Sequence, residues 1–170
     1  AEQRYPAFPY DIDKAIPEVV HRYFAAALGL LAIFIVYLTH RTEDKQNKRI
    51  SIFLLIFICC QGLFGYLTVS LKLLPIIVTT HLFGGFITLS TFFYLYIKNS
   101  NFFKNFQIGH LKNLAMLALF VLVIQIFRGA WTSTNYASLA CPDFPTCQGS
   151  FIPDIDFSAG FNLAQEVGPN

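Results

Sequence analysis

Charge is what this sequence has least of. Only 13% of its 170 residues are charged, where a soluble domain usually carries roughly 25%. Hydrophobic residues make up 55%, and phenylalanine alone occurs nineteen times. The few charges are bunched between long apolar runs, which is the pattern of a membrane protein. No stripe of basic residues is present to suit a nucleic acid, and that class of partner is excluded. Internal repeats and low-complexity tracts are absent too, which leaves neither a solenoid nor a linker to interpret.

Four stretches are long enough to span a bilayer, at about residues 19–38, 50–69, 74–97 and 114–131. Each offers on the order of 20 mostly apolar residues, matching a ~30 Å hydrocarbon core. Backbone polar groups inside that core must be paired internally, so all four are expected to be helices. The expected fold class is all-α, a polytopic membrane helical bundle with four transmembrane helices in this chain. Lys and Arg set its orientation. Arg41, Lys45, Lys48 and Arg49 lie between the first two spans, and Lys98, Lys104 and Lys112 lie between the last two. The turn between the middle spans holds only Lys72, and nothing after Arg128 is Lys or Arg. The two basic loops are therefore expected in the cytoplasm and both chain ends outside. This divides the chain into an extracytoplasmic segment 1–17, a membrane region 18–131 and an extracytoplasmic loop 132–170. Neither a signal peptide nor an earlier span is present to carry the first segment across, and the chain stops inside the long outer loop. Both features lead us to expect a piece of a longer protein.

Ionisable residues within spans are uncommon and usually functional. His40 and His110 sit in the basic loops, where a solvated histidine is the default. His21 and His81 lie inside predicted spans. Pro17 suits the first turn of a helix, since its missing N–H would be unpaired there. His21 would then lie four residues into a helix that starts on the outer side. His81 would lie six residues in from Pro75. At ~1.5 Å per residue these depths are about 6 and 9 Å. Two histidines on separate helices at similar depth could clamp one heme iron from opposite faces. The competing reading is two polar side chains hydrogen-bonded across the bundle. A non-heme metal would need third and fourth ligands, and none is evident nearby. Gly62, Gly65, Gly84 and Gly85 would let helices or a flat macrocycle come close.

Glu18 stands three residues before His21, on the same helical face. Beside a low-dielectric pocket its carboxylate could act in proton transfer; alternatively, it complements the dipole at the helix start. Arg22 could pair with a heme propionate or with a lipid phosphate. The cysteines fall in two settings. Cys59 and Cys60 are adjacent in mid-span and are expected to be small apolar residues. Cys141 and Cys147 enclose Pro142-Asp143-Phe144-Pro145-Thr146 in the outer loop. An oxidising compartment favours a disulfide there, with free thiols or a transient redox pair as the alternatives. Zinc lacks a matching ligand pair.

These residues carry a specific resemblance. Pro17-Glu18-Val19-Val20-His21-Arg22 resembles the Glu-x-x-His-Arg start of an early helix in the heme A synthase family. Gln61-Gly62-Leu63-Phe64-Gly65-Tyr66-Leu67-Thr68-Val69 and the stretch from Pro75 to Leu82 resemble the next two spans. Asn135 to Cys147, followed by Asp154 to Leu163, is similar to the family's outer loop. The likeness covers nearly all of the chain. It implies the second to fifth helices of an eight-helix protein built from two four-helix halves, and an integral protein of the bacterial inner (plasma) membrane.

The resemblance further implies oxidation of one methyl group of heme O to a formyl group, yielding heme A for cytochrome c oxidase. His21 and His81 would be the axial ligands of the substrate heme, Glu18 the catalytic carboxylate, and Cys141 and Cys147 a disulfide. Heme b, the cofactor, would belong to the half this chain lacks, so the chain alone is expected to be inactive. Heme O and the bilayer are the implied partners. Heme O synthase, cytochrome oxidase assembly factors and further copies of the chain are candidate partners. One departure is that residues 1–17 hold no cysteine, where many family members have a first outer pair. The rival readings are a bis-histidine heme b electron carrier, a thiol–disulfide enzyme and a structural assembly subunit. The thiol–disulfide reading leaves both histidines unexplained.

Overall fold

The computed structural model describes residues 12–101, 109, 111–137, 141, 143, 145–152 and 157–162. Of the residues singled out above, the segment up to Asp11, Lys104, His110, the stretch from Ser138 to Ala140, Pro142, Phe144, the stretch from Asp154 to Asp156 and the chain from Leu163 on lie outside these. Four long helices follow one another: α1 (Ile12–His40), α2 (Lys45–Ser70), α3 (Pro75–Asn99) and α4 (Leu111–Thr134). A single-turn helix, α5 (Phe157–Gly160), comes after them. The described residues contain no strand. All four long helices are long and apolar enough to cross a membrane. The protein is therefore an all-α integral membrane protein, as its composition implies. In each helix's most apolar window only 6% to 17% is buried within the chain, so most of that apolar surface is left for lipid or further protein.

The chain divides within α2, after Cys59, into two compact units. In the first, the end of α1 meets the start of α2 through polar groups. Asp44 caps α2: its Oδ1 accepts from the backbone N–H of Gln46 at 2.8 Å and of Asn47 at 3.0 Å. These are two of the four N–H groups that a helix start leaves without partners. The hydroxyls of Thr39 and Ser51 lie 2.7 Å apart, and Ser51 is fully buried, as are Ala32 and Leu54. Small side chains suit helices in lipid, where attraction comes from close packing rather than water exclusion.

One sequence expectation fails here. Helix α1 starts at Ile12, so Pro17 lies inside it rather than in its first turn. Pro17 has no N–H to offer the Asp13 carbonyl, but only that one bond is lost, close to an end where pairing is incomplete anyway. His21 thus lies nine residues beyond the helix start, about 14 Å along its axis at ~1.5 Å per residue.

In the second unit, α2 and α3 are joined by a tight turn. Lys72 and Leu73 take φ of 47° and 61°. The Leu73 N–H donates to the Thr68 carbonyl at 2.8 Å and the Lys72 N–H to Val69 at 3.2 Å, a left-handed helix stop of the Schellman kind. Pro75 then opens α3, where a missing N–H costs nothing. Along α3 the buried residues are Pro75, Thr79, Gly84, Thr88 and Leu95; Gly84, Thr88 and Leu95, four and seven residues apart, share one helical face. Helix α4 packs on α3, with the rings of Phe83 and Phe127 6.4 Å apart.

Candidate functional site

The polar residues of α1 stand on one exposed face. Glu18, His21 and Arg22 are all exposed. The Arg22 guanidinium donates to Glu18 Oε1 at 2.6 Å, a salt bridge one turn long. Sequence reasoning set Arg22 against an anion from outside the chain; its partner here is Glu18. Glu ahead of Arg by four residues is the favourable order on a helix. Both side chains are about half or more exposed, so the pair adds little to stability. Its consequence is positional, because it holds both charges one turn or less from His21.

His81 belongs to the second unit, six residues into α3, and faces Gly65 of α2. A β-carbon at Gly65 of α2 would stand 3.4 Å from Cε1 and 3.7 Å from Nε2 of His81. Glycine at 65 thus lets the α2 backbone pass close to the imidazole without crowding its Nε2 edge. A second pair lies beside the first. A β-carbon at Gly84 would overlap the side-chain amide of Gln61, so Gln61 lies across Gly84. Gln61 and Gly65 are four residues apart on α2, and His81 and Gly84 three apart on α3, so each pair shares a face. The Thr88 hydroxyl donates to the Gly84 carbonyl at 2.9 Å within this interface. Glycines 65 and 84 were singled out from sequence, but Gln61 was read only as part of a motif.

This arrangement fits a heme ligated through His81. Imidazole nitrogen is a standard axial donor, and the glycine at 65 puts no side chain against the ring. Among the described residues no group of three or more His, Cys, Asp or Glu side chains could hold a metal ion. A bis-histidine heme needs only two donors. His21 lies in the first unit and His81 in the second.

The loop after α4 is organised around Cys141 and Cys147, which form a disulfide with a Cα–Cα distance of 4.6 Å. Inside that ring the Asp143 carboxylate accepts from the Thr146 hydroxyl, from the Gln148 N–H at 2.8 Å and from the Gly149 N–H at 3.0 Å. Cys147 and Ser150 exchange backbone hydrogen bonds of 2.8 and 3.1 Å. Gln148 and Gly149 between them take φ of 54° and 78°, as in a type I′ turn, where glycine is the residue best suited to the second position. The Thr146 hydroxyl, followed by the Gly149 N–H, holds the Asp143 carboxyl below its ordinary value of 3.8. A depressed carboxyl stabilises the fold above its unfolded pKa, and that contribution is lost as pH falls through the folded value. Intrinsic-rate-corrected hydrogen exchange at Gln148 and Gly149 should therefore show full protection at neutral pH and lose it below about pH 3.8. Asp143→Asn should show the loss already at neutral pH, and equal protection in both proteins would refute the staple.

The loop is docked by aromatic rings. Trp131, at the end of α4, is stacked 5.8 Å from Phe127 and 5.9 Å from Phe161. Its Nε1–H donates to the Gly160 carbonyl at 2.9 Å.

Four helices long and apolar enough to cross a membrane and a disulfide-closed loop define an all-α integral membrane protein. The model of the cytochrome oxidase assembly protein family matches residues 1–167. The chain belongs to that family. It is 36% identical to the "Heme A synthase" of Shewanella oneidensis, over all of this chain and 52% of that protein. It is 29% identical to the "Heme A synthase" of Shouchella clausii, over 84% of this chain and 50% of the relative. With the "Heme A synthase" of Halalkalibacterium halodurans it shares 27% identity, over 91% of this chain and 54% of the relative. The chain thus spans about half the length of the curated relatives it matches. No solved structure matches it.

Proposed function

We propose that this chain is one half of a heme A synthase, and that its helices hold heme O while one methyl group is oxidised to a formyl group. The observation that carries the reading is His81, set six residues into α3 with its Nε2 edge left uncrowded by Gly65. His21 is the second axial ligand in this reading, reached from α1, and the two clamp the substrate heme. Segment 1–17 and loop 132–170 lie outside the cytoplasmic (inner) membrane around the membrane region 18–131. The Cys141–Cys147 disulfide supports that sidedness, since such bonds persist in oxidising compartments.

Heme supplies the redox chemistry when bound, and the protein supplies position and field. Oxidation of a methyl group to a formyl group removes four electrons and releases protons; an electron acceptor beyond this chain would take the electrons, and Glu18, beside His21, would take protons. Arg22 holds the Glu18 carboxylate in place at 2.6 Å and is the side chain suited to a heme propionate. Heme b sits in the remainder of the protein, where it serves as cofactor. Heme O synthase and cytochrome oxidase assembly factors are the partners that deliver substrate and receive product, and association of further copies is compatible with the uncovered apolar surface.

Glu18→Gln in the protein expressed in full tests the assignment. Conversion of heme O to heme A, followed by chromatography of extracted hemes, should fall by about 10²-fold or more, the usual weight of a general base. The bis-histidine absorption spectrum should stay. Undiminished conversion would remove Glu18 from the chemistry, whereas absence of conversion in the parent protein itself would leave a bis-histidine electron carrier as the better account.

A further inference from the structure

Gln61 is the polar group that the reading so far leaves without a task. It lies in the membrane-spanning part of α2, where an amide is costly unless it meets a partner. Its Oε1 is buried and makes no hydrogen bond among the described residues. The side chain is also held in place. It lies across Gly84, and a β-carbon there would overlap it.

The place where the amide is held is specific. Gln61 and Gly65 share a face of α2, and that face meets the face of α3 that carries His81 and Gly84. Gly65 stands against His81 while Gln61 lies on Gly84. Because α2 and α3 are joined by a tight turn, they run antiparallel. Gln61 and Gly84 are thus about one helical turn farther from that turn than Gly65 and His81. The amide is therefore a neighbour of the imidazole in an interface that also holds Gly65, Gly84 and Thr88. A group ligated by His81 is what would bring polar atoms to this position. The amide presents both a donor and an acceptor, which suits a hydroxyl.

We infer that Gln61 recognises the oxygen substituent at the edge of the heme held by His81, and so selects heme O over heme b. The inference rests on the function proposed above. Heme O carries a hydroxyl-bearing alkyl chain where heme b has a vinyl group. A site built to hydrogen-bond a hydroxyl discriminates against an analogue lacking it, because the site's own polar group is then left unpaired.

The test titrates the full-length protein with heme O and, separately, with heme b. Binding is read from the low-spin signal that His81→Ala removes. The parent should prefer heme O. Gln61→Leu should reduce that preference about three- to tenfold, the worth of one net hydrogen bond, with heme b binding little changed. Gly84→Ala, which displaces the amide while keeping the glutamine, should reduce it in the same direction. A loss of fold would weaken both hemes together and leave the ratio intact, so the ratio isolates recognition. An unchanged ratio in both variants, with the His81-dependent signal present, overturns the role of Gln61 alone. If His81→Ala removes no signal, the heme O reading falls, and this inference falls with it.

Discussion

Replacing His81 by alanine should abolish the low-spin, six-coordinate heme spectrum and weaken heme binding by at least about a hundredfold. The magnitude follows from what is removed. Groups that only orient a metal ligand typically command 10–100-fold in affinity, and His81 is in our reading the ligand itself. His21→Ala should have the same effect, since either loss leaves the iron with one axial imidazole. A graded variant separates ligation from packing. Gly65→Val keeps the imidazole but sets bulk where a single β-carbon would already stand 3.4 Å from Cε1. It should shift the spectrum towards the high-spin form while retaining some heme. Spectra identical to the parent in both histidine variants would return His21 and His81 to the status of packed polar side chains.

The parts of this molecule legible in its sequence are those governed by long-range composition. Apolar runs of about 20 residues bounded by basic loops allow little besides spanning helices, and α1 to α4 contain those runs almost throughout. Helix ends were less legible, because they depend on local chemistry that propensity weighs poorly. A proline near a helix start is ordinarily read as its first turn, yet α1 continues five residues before Pro17 to Ile12. The cap by Asp44 and the left-handed stop at Lys72 and Leu73 are decided by single dihedral angles and side-chain rotamers.

At the candidate site, residue types were legible and partners were not. Ionisable groups in spans announce themselves by their cost, which is why His21, His81 and Glu18 could be named from sequence. Whom each one touches depends on helix rotation. Arg22 turned out to face Glu18 one turn back. Gln61 turned out to lie on Gly84, a contact between residues 23 apart in sequence that no periodicity in α2 or α3 reveals. Membership of the heme A synthase family was legible for a different reason. Its marks are short motifs, and the match over residues 1–167 includes every one of them.

Trp131→Ala should release the loop after α4 from the membrane helices. Trp131 is only 9% exposed. The substitution removes the hydrogen bond to Gly160, worth about 0.5–1.5 kcal/mol, and two ring stacks worth about 0.5–1.5 kcal/mol each. With the lost burial, large aromatic truncations cost about 3–5 kcal/mol. At about 1.4 kcal/mol per factor of ten, the open state of segment 157–162 should gain at least about a hundredfold. Hydrogen exchange across that segment measures this directly. Trp131→Phe keeps a ring between Phe127 and Phe161 but loses the N–H donor, and should give about a tenfold change. Unaltered exchange in Trp131→Ala would mean that the disulfide-closed ring holds the loop by itself. The expected result carries a further consequence for the site. Phe161 of the loop stacks on Trp131, Trp131 on Phe127, and Phe127 meets Phe83, which stands two residues beyond His81 on α3. The loop is therefore seated on the helix that carries the candidate ligand. Releasing it should loosen the His81-dependent heme signal as well, and to a smaller degree than removing the imidazole.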